Sequence, residues 1–200
     1  LQSDSSSVRK RNQLGWTPLY VAAWYGKRDV ALVLLDRGAD ANSRDDLGWT
    51  ALFQTTTGKP PVGEPNKQQQ LEVAALLLER GADPNAKCPG GVTALFGAVS
   101  VGNKESVDLL MAHGANVNAQ ADDGETGLHR IAKLEFYVAG VGEDRSRVPE
   151  SLRIELADLL IAKGANVNVR DSSGKTPLTY AIERKWGDLA EALRKHGAID

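Results

Sequence analysis

The chain has 200 residues, of which 42% are hydrophobic, and its 24 basic and 26 acidic side chains leave a formal net charge of −2. This near balance excludes a global field that attracts nucleic acid or anionic lipid, so we expect neither nucleic acid nor a membrane as a partner. The single cysteine, Cys88, excludes an intramolecular disulfide and fits a reducing compartment, so we expect a cytoplasmic location.

Residues 1–11 are polar and rich in serine, and they show no hydrophobic periodicity. We interpret them as a disordered or artificial tail, with Arg9, Lys10 and Arg11 as solvated charges. No polar capping unit precedes the first periodic segment. This indicates either that upstream sequence has been trimmed or that the tail forms a cap.

Five similar segments follow, each opened by a Gly-x-Thr-x-Leu motif and closed by a Gly-Ala pair. Successive threonines of this motif lie 33, 43, 33 and 50 residues apart, so the base period is 33 with insertions of 10 and 17. A fixed period of this length is typical of stacked repeats. The predicted repeats one to five are residues 12–44, 45–87, 88–120, 121–170 and 171–200.

Repeat one contains signals for two short helices. Thr17 and Pro18 are suited to the cap and first position of a helix that ends near Gly26. A second helix is predicted from Asp29 to Arg37, because its apolar residues recur at helical spacing and Gly38 suits a left-handed cap.

This order of elements resembles the ankyrin repeat. The matching motifs are Thr-Pro-Leu-x-x-Ala-Ala-x-x-Gly at residues 17–26 and Leu-Leu-x-x-Gly-Ala-x-x-Asn at residues 34–42. The resemblance covers residues 12–200. It implies an all-α, single-domain ankyrin-repeat solenoid of stacked helix-turn-helix units joined by β-hairpin loops.

One leucine of each first helix and one of each second helix recur in every repeat. Neither helix is long enough to be stable alone, so we expect both sets of leucines to be buried against neighbouring repeats. The first-helix set is Leu19, Leu52, Leu95, Leu128 and Leu178, and the second-helix set is Leu34, Leu77, Leu110, Leu160 and Leu193.

Repeat five is the expected terminal cap. Its second helix carries Arg194 where the other repeats have an apolar residue, and a polar outer face is what a last repeat needs. The family's hairpin histidine is present only as His129. Its counterparts are Tyr20, Phe53, Phe96 and Thr179, so we expect aromatic packing to replace its hydrogen bonds in three repeats.

The two insertions lie at 58–69 and 135–151, at the same point of repeats two and four. Three prolines and two glycines favour an extended loop in the first. Pro149 is expected to start a lengthened second helix after the second. Two interpretations remain open: neutral surface drift, since loops tolerate insertion, or a binding role, since long loops in compact repeats often bind.

No arrangement of residues predicts catalysis, a cofactor or a metal. Ser173–Thr176 resembles the end of a phosphate-binding loop, but that motif needs glycine where Val169 stands. The three histidines lie in different repeats without a second ligand at metal-binding spacing. We therefore expect a protein that is not an enzyme.

The resemblance implies that a partner binds to the hairpin tips and to the inner, concave face of the first helices. We expect Trp16, Trp24, Tyr25 and Trp49 to form one aromatic patch there; the alternative is that these rings only pack on one another. The candidate protein-binding residues are Leu14, Trp16, Trp24, Tyr25, Asp46, Leu47, Trp49, Val92, Val101, Asp122, Asp123 and Glu125.

These residues predict a non-enzymatic protein–protein interaction module, monomeric, that binds another protein through a surface centred on repeats one to three. Two alternatives remain open. The chain could be the targeting module of a larger enzyme whose catalytic domain lies outside this sequence. It could also inhibit a partner enzyme, with one or both insertions entering the active-site cleft.

Overall fold

A computed structural model describes residues 7–57, 67–133 and 149–199. These ranges contain ten α-helices and no extended strand, apart from one isolated antiparallel bridge between Arg44 and Thr50. The all-α prediction is confirmed. The helices are α1 (Pro18–Trp24), α2 (Arg28–Asp36), α3 (Ala51–Thr57), α4 (Lys67–Glu79), α5 (Ala94–Ser100), α6 (Lys104–Ala112), α7 (Gly127–Lys133), α8 (Glu150–Ala162), α9 (Pro177–Glu183) and α10 (Gly187–Lys195).

The chain divides into two compact units, Leu1–Pro89 and Gly90–Asp200. In the first unit, α1 packs against α2 and α3, and α4 packs against α1, α2 and α3. In the second unit, α5 packs against α6 and α7, α7 packs against α8 and α9, and α10 packs against α8 and α9. Within each unit, therefore, each helix pair is stacked on the pair that precedes it in sequence.

A threonine caps the first helix in four repeats, as the Gly-x-Thr-x-Leu motif predicts. Thr17 Oγ1 accepts a hydrogen bond from the amide of Tyr20 (3.1 Å), and Thr50, Thr93 and Thr176 accept equivalent bonds. Each bond satisfies one of the free amides at a helix start. In repeat four, the His129 ring accepts from the amide of Thr126 instead (3.1 Å).

The core contains the leucines that the period predicts. All five first-helix leucines are buried, and so are Leu77, Leu110, Leu160 and Leu193 of the second helices. Leu34 of α2 differs, because it is only half-buried. In repeat five, Arg194 is exposed at the position expected of a terminal cap.

Each insertion precedes a lengthened second helix. The helices α4 and α8 have 13 residues, whereas α2, α6 and α10 have nine. Lys67–Gln69 and Glu150–Ser151 therefore belong to helices, and Pro149 caps α8 as expected. The inserted positions 58–66 and 135–148 lie outside the described residues, so the structure does not decide between neutral drift and binding for the insertions.

The added helical turns carry equivalent polar side chains that point inward. Gln70 Nε2 donates to the carbonyl of Trp24 (3.4 Å), and Arg153 Nη1 donates to the carbonyl of Ile131 (2.6 Å). The guanidinium of the fully buried Arg153 also lies 4.3 Å from the ring centroid of Trp186. These donors satisfy carbonyls near the ends of two first helices, which have no partner within their own helix.

Residues 7–11 differ from the expected disordered tail. Ser7–Arg9 form one turn of 3-10 helix, and Val8 is buried. Arg9 Nη2 donates to the carbonyl of Gly38 (3.4 Å), and an Arg11 nitrogen donates to the carbonyl of Arg44. The buried side chain of Val8 and the hydrogen bonds donated by Arg9 and Arg11 attach this segment to repeat one despite its polar composition.

The core leucines can be tested with Leu110→Ala, in the uninterrupted repeat three. Leu110 is fully buried, so its truncation removes apolar contacts and leaves a cavity, and the free energy of unfolding should fall by about 2–5 kcal/mol. Urea denaturation measures this loss. The matched control is Asp108→Ala on the exposed face of α6; equal effects of the two substitutions would contradict the assignment of Leu110 to the core.

Candidate protein-binding surface

The loop before each first helix has a fixed conformation in three repeats. Its first residue is Asn12, Asp45 or Asp171, whose Oδ1 accepts hydrogen bonds from the amides two and four residues later. Such bonds are typical of Asn and Asp in turns. They run from Leu14 (2.9 Å) and Trp16 (3.0 Å) to Asn12, from Leu47 (3.0 Å) and Trp49 (2.8 Å) to Asp45, and from Ser173 (2.8 Å) and Lys175 (3.0 Å) to Asp171.

Backbone hydrogen bonds join successive hairpin tips within each unit. The amide of Asp46 donates to the carbonyl of Leu14 (3.4 Å) in the first unit, and the amide of Asp122 donates to Gly90 (2.9 Å) in the second. Gly15 has φ +73°, and a Cβ there would collide with the side chain of Asp46. The close approach of these two tips therefore depends on glycine at this position.

A second set of polar contacts joins the first helices to the hairpins. Tyr20 donates through its hydroxyl to Asp45 Oδ2 (3.1 Å), and burial together with Asp45 raises the pKa of Tyr20. The expectation that aromatic packing replaces the histidine's hydrogen bond is thus wrong at Tyr20. The phenol keeps a polar contact with the next hairpin, because its hydroxyl reaches a buried carboxylate.

His129 makes the corresponding contact in repeat four. Its Nε2–H donates to the carbonyl of Lys175 (3.1 Å) while Nδ1 accepts from the amide of Thr126, which requires the neutral ring. Burial lowers the pKa of His129. The ring is fully buried and therefore has a structural role.

Tyr180 and Asp171 form a similar bond within repeat five. The hydroxyl of Tyr180 donates to Asp171 Oδ2 (2.6 Å), and this bond together with burial raises the pKa of Tyr180 to about 12. Burial disfavours the ionised form of Asp171. The bonds from Tyr180 and from the amides of Lys175 and Ser173 outweigh that effect, so the pKa of Asp171 is lowered.

Four aromatic rings of repeat one form a cluster. Trp16 lies 4.8 Å from Trp24 edge-on and 5.7 Å from Tyr20 in a stacked arrangement, measured between ring centroids. Tyr25 lies 6.4 Å from Trp24. Sequence reasoning missed Tyr20 as a member, because its position in the motif indicated only a structural role.

Trp49 packs elsewhere among the described residues. Its ring centroid lies 4.5 Å from that of Phe53, in the same repeat. The ring contacts thus bring Trp16, Trp24 and Tyr25 together with Tyr20, and Trp49 is not part of this cluster of described residues. Trp16, Trp24 and Trp49 are half-buried, and the indole nitrogen of Trp24 is itself buried. The cluster therefore combines packing with partial exposure.

The hairpin tips of the first unit present apolar side chains to solvent. Leu14 is 54% exposed and Leu47 is 74% exposed, in loops whose backbone is held by Asn12 and Asp45. Asp46 lies exposed between them and forms an ion pair with Arg11 (3.2 Å). An exposed leucine at a fixed tip is suited to insertion into a pocket of another protein.

The second unit presents a more polar surface. Val92 and Val101 are half-buried at the two ends of the first helix of repeat three, and Asp122 and Asp123 are exposed at the next tip. Glu125 differs from the expected surface position. It is only 3% exposed, since it pairs with the ammonium of Lys133, and this bond raises the pKa of Lys133.

Arg130 is a surface residue that sequence reasoning did not select. Its guanidinium lies 5.5 Å from the ring centroid of Phe96, and its Nε donates to Ser100 Oγ (3.0 Å). Burial lowers the pKa of Arg130. Both of these partners, Phe96 and Ser100, belong to α5, the first helix of the preceding repeat.

The described residues contain no group of three histidine, cysteine or acidic side chains that could hold a metal ion. None of their helices has the length and apolar character needed to cross a bilayer. Cys88 is buried, with its sulfur 3.9 Å from Thr50 Oγ1.

Three family models describe most of the sequence. Models of ankyrin repeats in many copies match residues 1–52 and 150–194, and a model of three ankyrin repeats matches residues 66–137. The chain belongs to the ankyrin repeat family. An ankyrin repeat-containing protein of Schizosaccharomyces pombe is 40% identical over 47 residues, which is 24% of this chain and 23% of that protein. Ankyrin repeats generally mediate protein–protein interaction and are typically non-enzymatic.

The neutral state of His129 predicts a pH dependence. Below about pH 6.5 the unfolded chain gains a proton at this residue that the folded chain, with its lowered pKa, binds less readily. The free energy of unfolding should therefore fall as the pH drops below that value. In His129→Gln this contribution is absent, so the stability difference between wild type and variant should shrink between pH 7 and pH 5.

Urea denaturation at several pH values measures the difference. The matched control is His113→Gln, which replaces an exposed histidine at the C-cap of α6. A constant difference between wild type and His129→Gln across this range would contradict a neutral, buried imidazole.

Proposed function

We propose that this ankyrin repeat protein is a non-enzymatic interaction module whose hairpin tips and first helices bind another protein. The observation that carries the proposal is the pair of exposed leucines, Leu14 and Leu47, on neighbouring tips beside half-buried tryptophans. Repeats one and two supply the main contact area in this proposal. Val92 and Val101 supply apolar contacts on the surface of repeat three.

The fixed backbone of the tips supports this proposal. Binding costs less conformational entropy when the contacting loop already has its bound conformation. The amides of Leu47 and Trp49 donate to Asp45 and hold the tip of repeat two. The amide of Leu14 donates to Asn12 and holds the tip of repeat one. Large apolar side chains on such loops are good anchors, because they lose little freedom when they enter a pocket.

The electrostatics of the surface indicate the character of the partner. Asp122 and Asp123 are exposed at the tip of repeat four, and Asp46 is exposed at the tip of repeat two. Acidic groups at the edge of an interface mainly attract a basic surface during approach. We propose a partner with an apolar pocket bordered by basic side chains, bound by a monomer of this chain in the cytoplasm.

Leu47 provides the sharpest test of the site. Leu47→Ala removes an exposed anchor without leaving a cavity, so it should weaken binding by about 1–2 kcal/mol or more while leaving the melting temperature unchanged. Trp49→Ala should weaken binding by about 2 kcal/mol. Trp24 is less suited to this test, because its buried indole nitrogen indicates a larger part in packing.

The control is Ile199→Ala, since Ile199 is 65% exposed but follows the last helix of repeat five and belongs to no candidate hairpin tip. The partner is first captured from a lysate of the source cells with the wild-type chain. A chain with Leu14→Asp and Leu47→Asp serves as the parallel bait, and proteins captured by both are discarded. Calorimetry with the captured protein then compares the variants. Normal binding by Leu47→Ala and Trp49→Ala together would contradict the proposed site.

The acidic tip should act mainly on association kinetics. Reversal of charge in Asp122→Lys with Asp123→Lys should slow association with a basic partner and reduce its dependence on salt, while the dissociation rate changes little. Surface plasmon resonance at roughly 50 and roughly 300 mM salt separates these effects, because the Debye length falls from about 14 Å to about 6 Å over this range. A change confined to the dissociation rate would show that the carboxylates make close contacts instead.

A further inference from the structure

The second helix of repeat one has the apolar pattern of an internal repeat, yet one side of it is uncovered. Val30 is 52% exposed, whereas the residues at the same position of α4, α8 and α10 are fully buried: Val73, Leu156 and Leu189. Val33 is 46% exposed, whereas its counterpart Leu76 is 3% exposed. Repeat one therefore carries apolar side chains at these two positions of α2 but does not bury them itself.

Val30 borders a groove on the same side of the repeat. The groove has a volume of about 520 Å³, and Pro18, Val21, Tyr25 and Val30 contribute its apolar lining. Val33 lies one turn along α2 from Val30 and therefore on the same helix face. These five residues are termed the N-terminal face.

The packing of later repeats shows what covers the corresponding face. In the first unit, α4 carries Val73 and packs against both α1 and α2 of the preceding repeat. In the second unit, α10 carries Leu189 and packs against α8 of the preceding repeat. In both cases the residues are buried by helices of the preceding repeat.

Residues 8–11 occupy the loop positions by which one repeat joins the next. Val8 corresponds to Ala41, Val117 and Val167, and all four side chains are buried. Arg11 corresponds to Arg44. Just as Arg44 donates to the carbonyl of Lys87 in the next loop (2.7 Å), Arg11 donates to the carbonyl of Arg44.

Arg9 reproduces a third contact of these loops. The residue at its position is asparagine in all four later loops. The side-chain amides of Asn42, Asn118 and Asn168 each donate to the carbonyl of the glycine that ends the next repeat's second helix. Arg9 Nη2 donates to Gly38, the equivalent glycine of repeat one (3.4 Å). The three asparagine contacts are Asn42 to Gly81 (2.8 Å), Asn118 to Gly164 (3.0 Å) and Asn168 to Gly197 (3.1 Å).

We propose that the N-terminal face is an interface for a further ankyrin-type helix pair, which leads into Val8 through the loop of residues 8–11. A pair that ends in this loop is directed onto α1 and α2 in the same way as each repeat is stacked within its unit. The family match that begins at residue 1, ahead of repeat one, supports this assignment. The proposal concerns the end of the repeat and is independent of the hairpin-tip site.

A second copy of the chain is a poorer occupant. Its last helix, α10, presents Glu191, Arg194 and Lys195, all exposed, and such charged side chains would lose their hydration against an apolar groove. A linked helix pair also avoids the entropic cost of bringing two molecules together.

The test extends the chain with its own sequence. Residues 88–116 of repeat three are fused directly to Val8, which restores the natural register because Asn116 precedes Val117 at the equivalent position. The extended protein should melt about 5 °C or more above the 200-residue chain, because the added helices bury the N-terminal face. A second fusion with two glycines inserted before Val8 breaks the register and should give a smaller gain.

Val30→Glu provides the matched comparison. It should lower the melting temperature of the extended protein much more than that of the 200-residue chain, where Val30 is half exposed. Ile199→Glu, at an exposed position after α10, should change the melting temperatures of the extended protein and of the 200-residue chain equally. Equal melting temperatures of the original and the in-register extended protein would overturn the proposal, whether or not the Val30 variant folds.

Two further measurements address other occupants. Sedimentation of the 200-residue chain should show a monomer; a dimer that Val30→Glu abolishes would assign the face to a second copy and overturn the proposal. The partner captured through the hairpin tips should bind the Val30→Glu variant normally. Loss of that binding would assign the face to the partner and would equally overturn the proposal, whereas failure of the Leu47 variants bears only on the hairpin-tip site.

Discussion

The structure depends on burial between successive helix pairs, because no helix in the described residues can hold its own shape in water. The five first helices have seven residues each, about two turns, and helices so short do not persist without tertiary contacts. The recurring leucines supply those contacts, and nine of the ten are buried, the exception being the half-buried Leu34 of α2. Since every loop starts or ends at such a helix, the placement of the hairpin tips follows from the same burial.

The hairpins show how different residues perform one task. Buried polar contacts join a first helix to a loop through a tyrosine and an aspartate in repeat one, through a histidine and a carbonyl in repeat four, and through a tyrosine and an aspartate again in repeat five. A buried polar group without a partner costs roughly 1–3 kcal/mol, so each repeat has to supply a complete pair. The exposed side chains of the loops are hydrated and do not need such a pair. The tips can therefore differ in character: repeats one and two expose Leu14 and Leu47, whereas repeat four exposes Asp122 and Asp123.

The sequence predicted the helix pairs, the threonine caps, the buried leucines and the polar terminal helix, because all of these follow from spacing and residue type. It did not predict the pairing of Tyr20 with Asp45, the burial of Glu125 or the contact of Trp49 with Phe53, since those depend on which side chain of a neighbouring loop lies within reach. Residues 7–11 escaped detection for another reason. Arg9 replaces the asparagine of later loops, and serines stand where the Gly-Ala pair is expected, so the pattern is lost although the contact to the helix-ending glycine is kept.

The lengthened helices α4 and α8 have a practical consequence for protein engineering. Each exceeds its counterparts by four residues, or about 6 Å of helix, and this extra turn docks through Gln70 or Arg153 while the leucines beyond it keep their positions. The junction between paired helices is therefore the place where this scaffold accepts foreign sequence. A peptide epitope or an enzyme-cleavable tether grafted there, with an inward glutamine or arginine to anchor the following helix, would leave the stacking surfaces of the repeat intact.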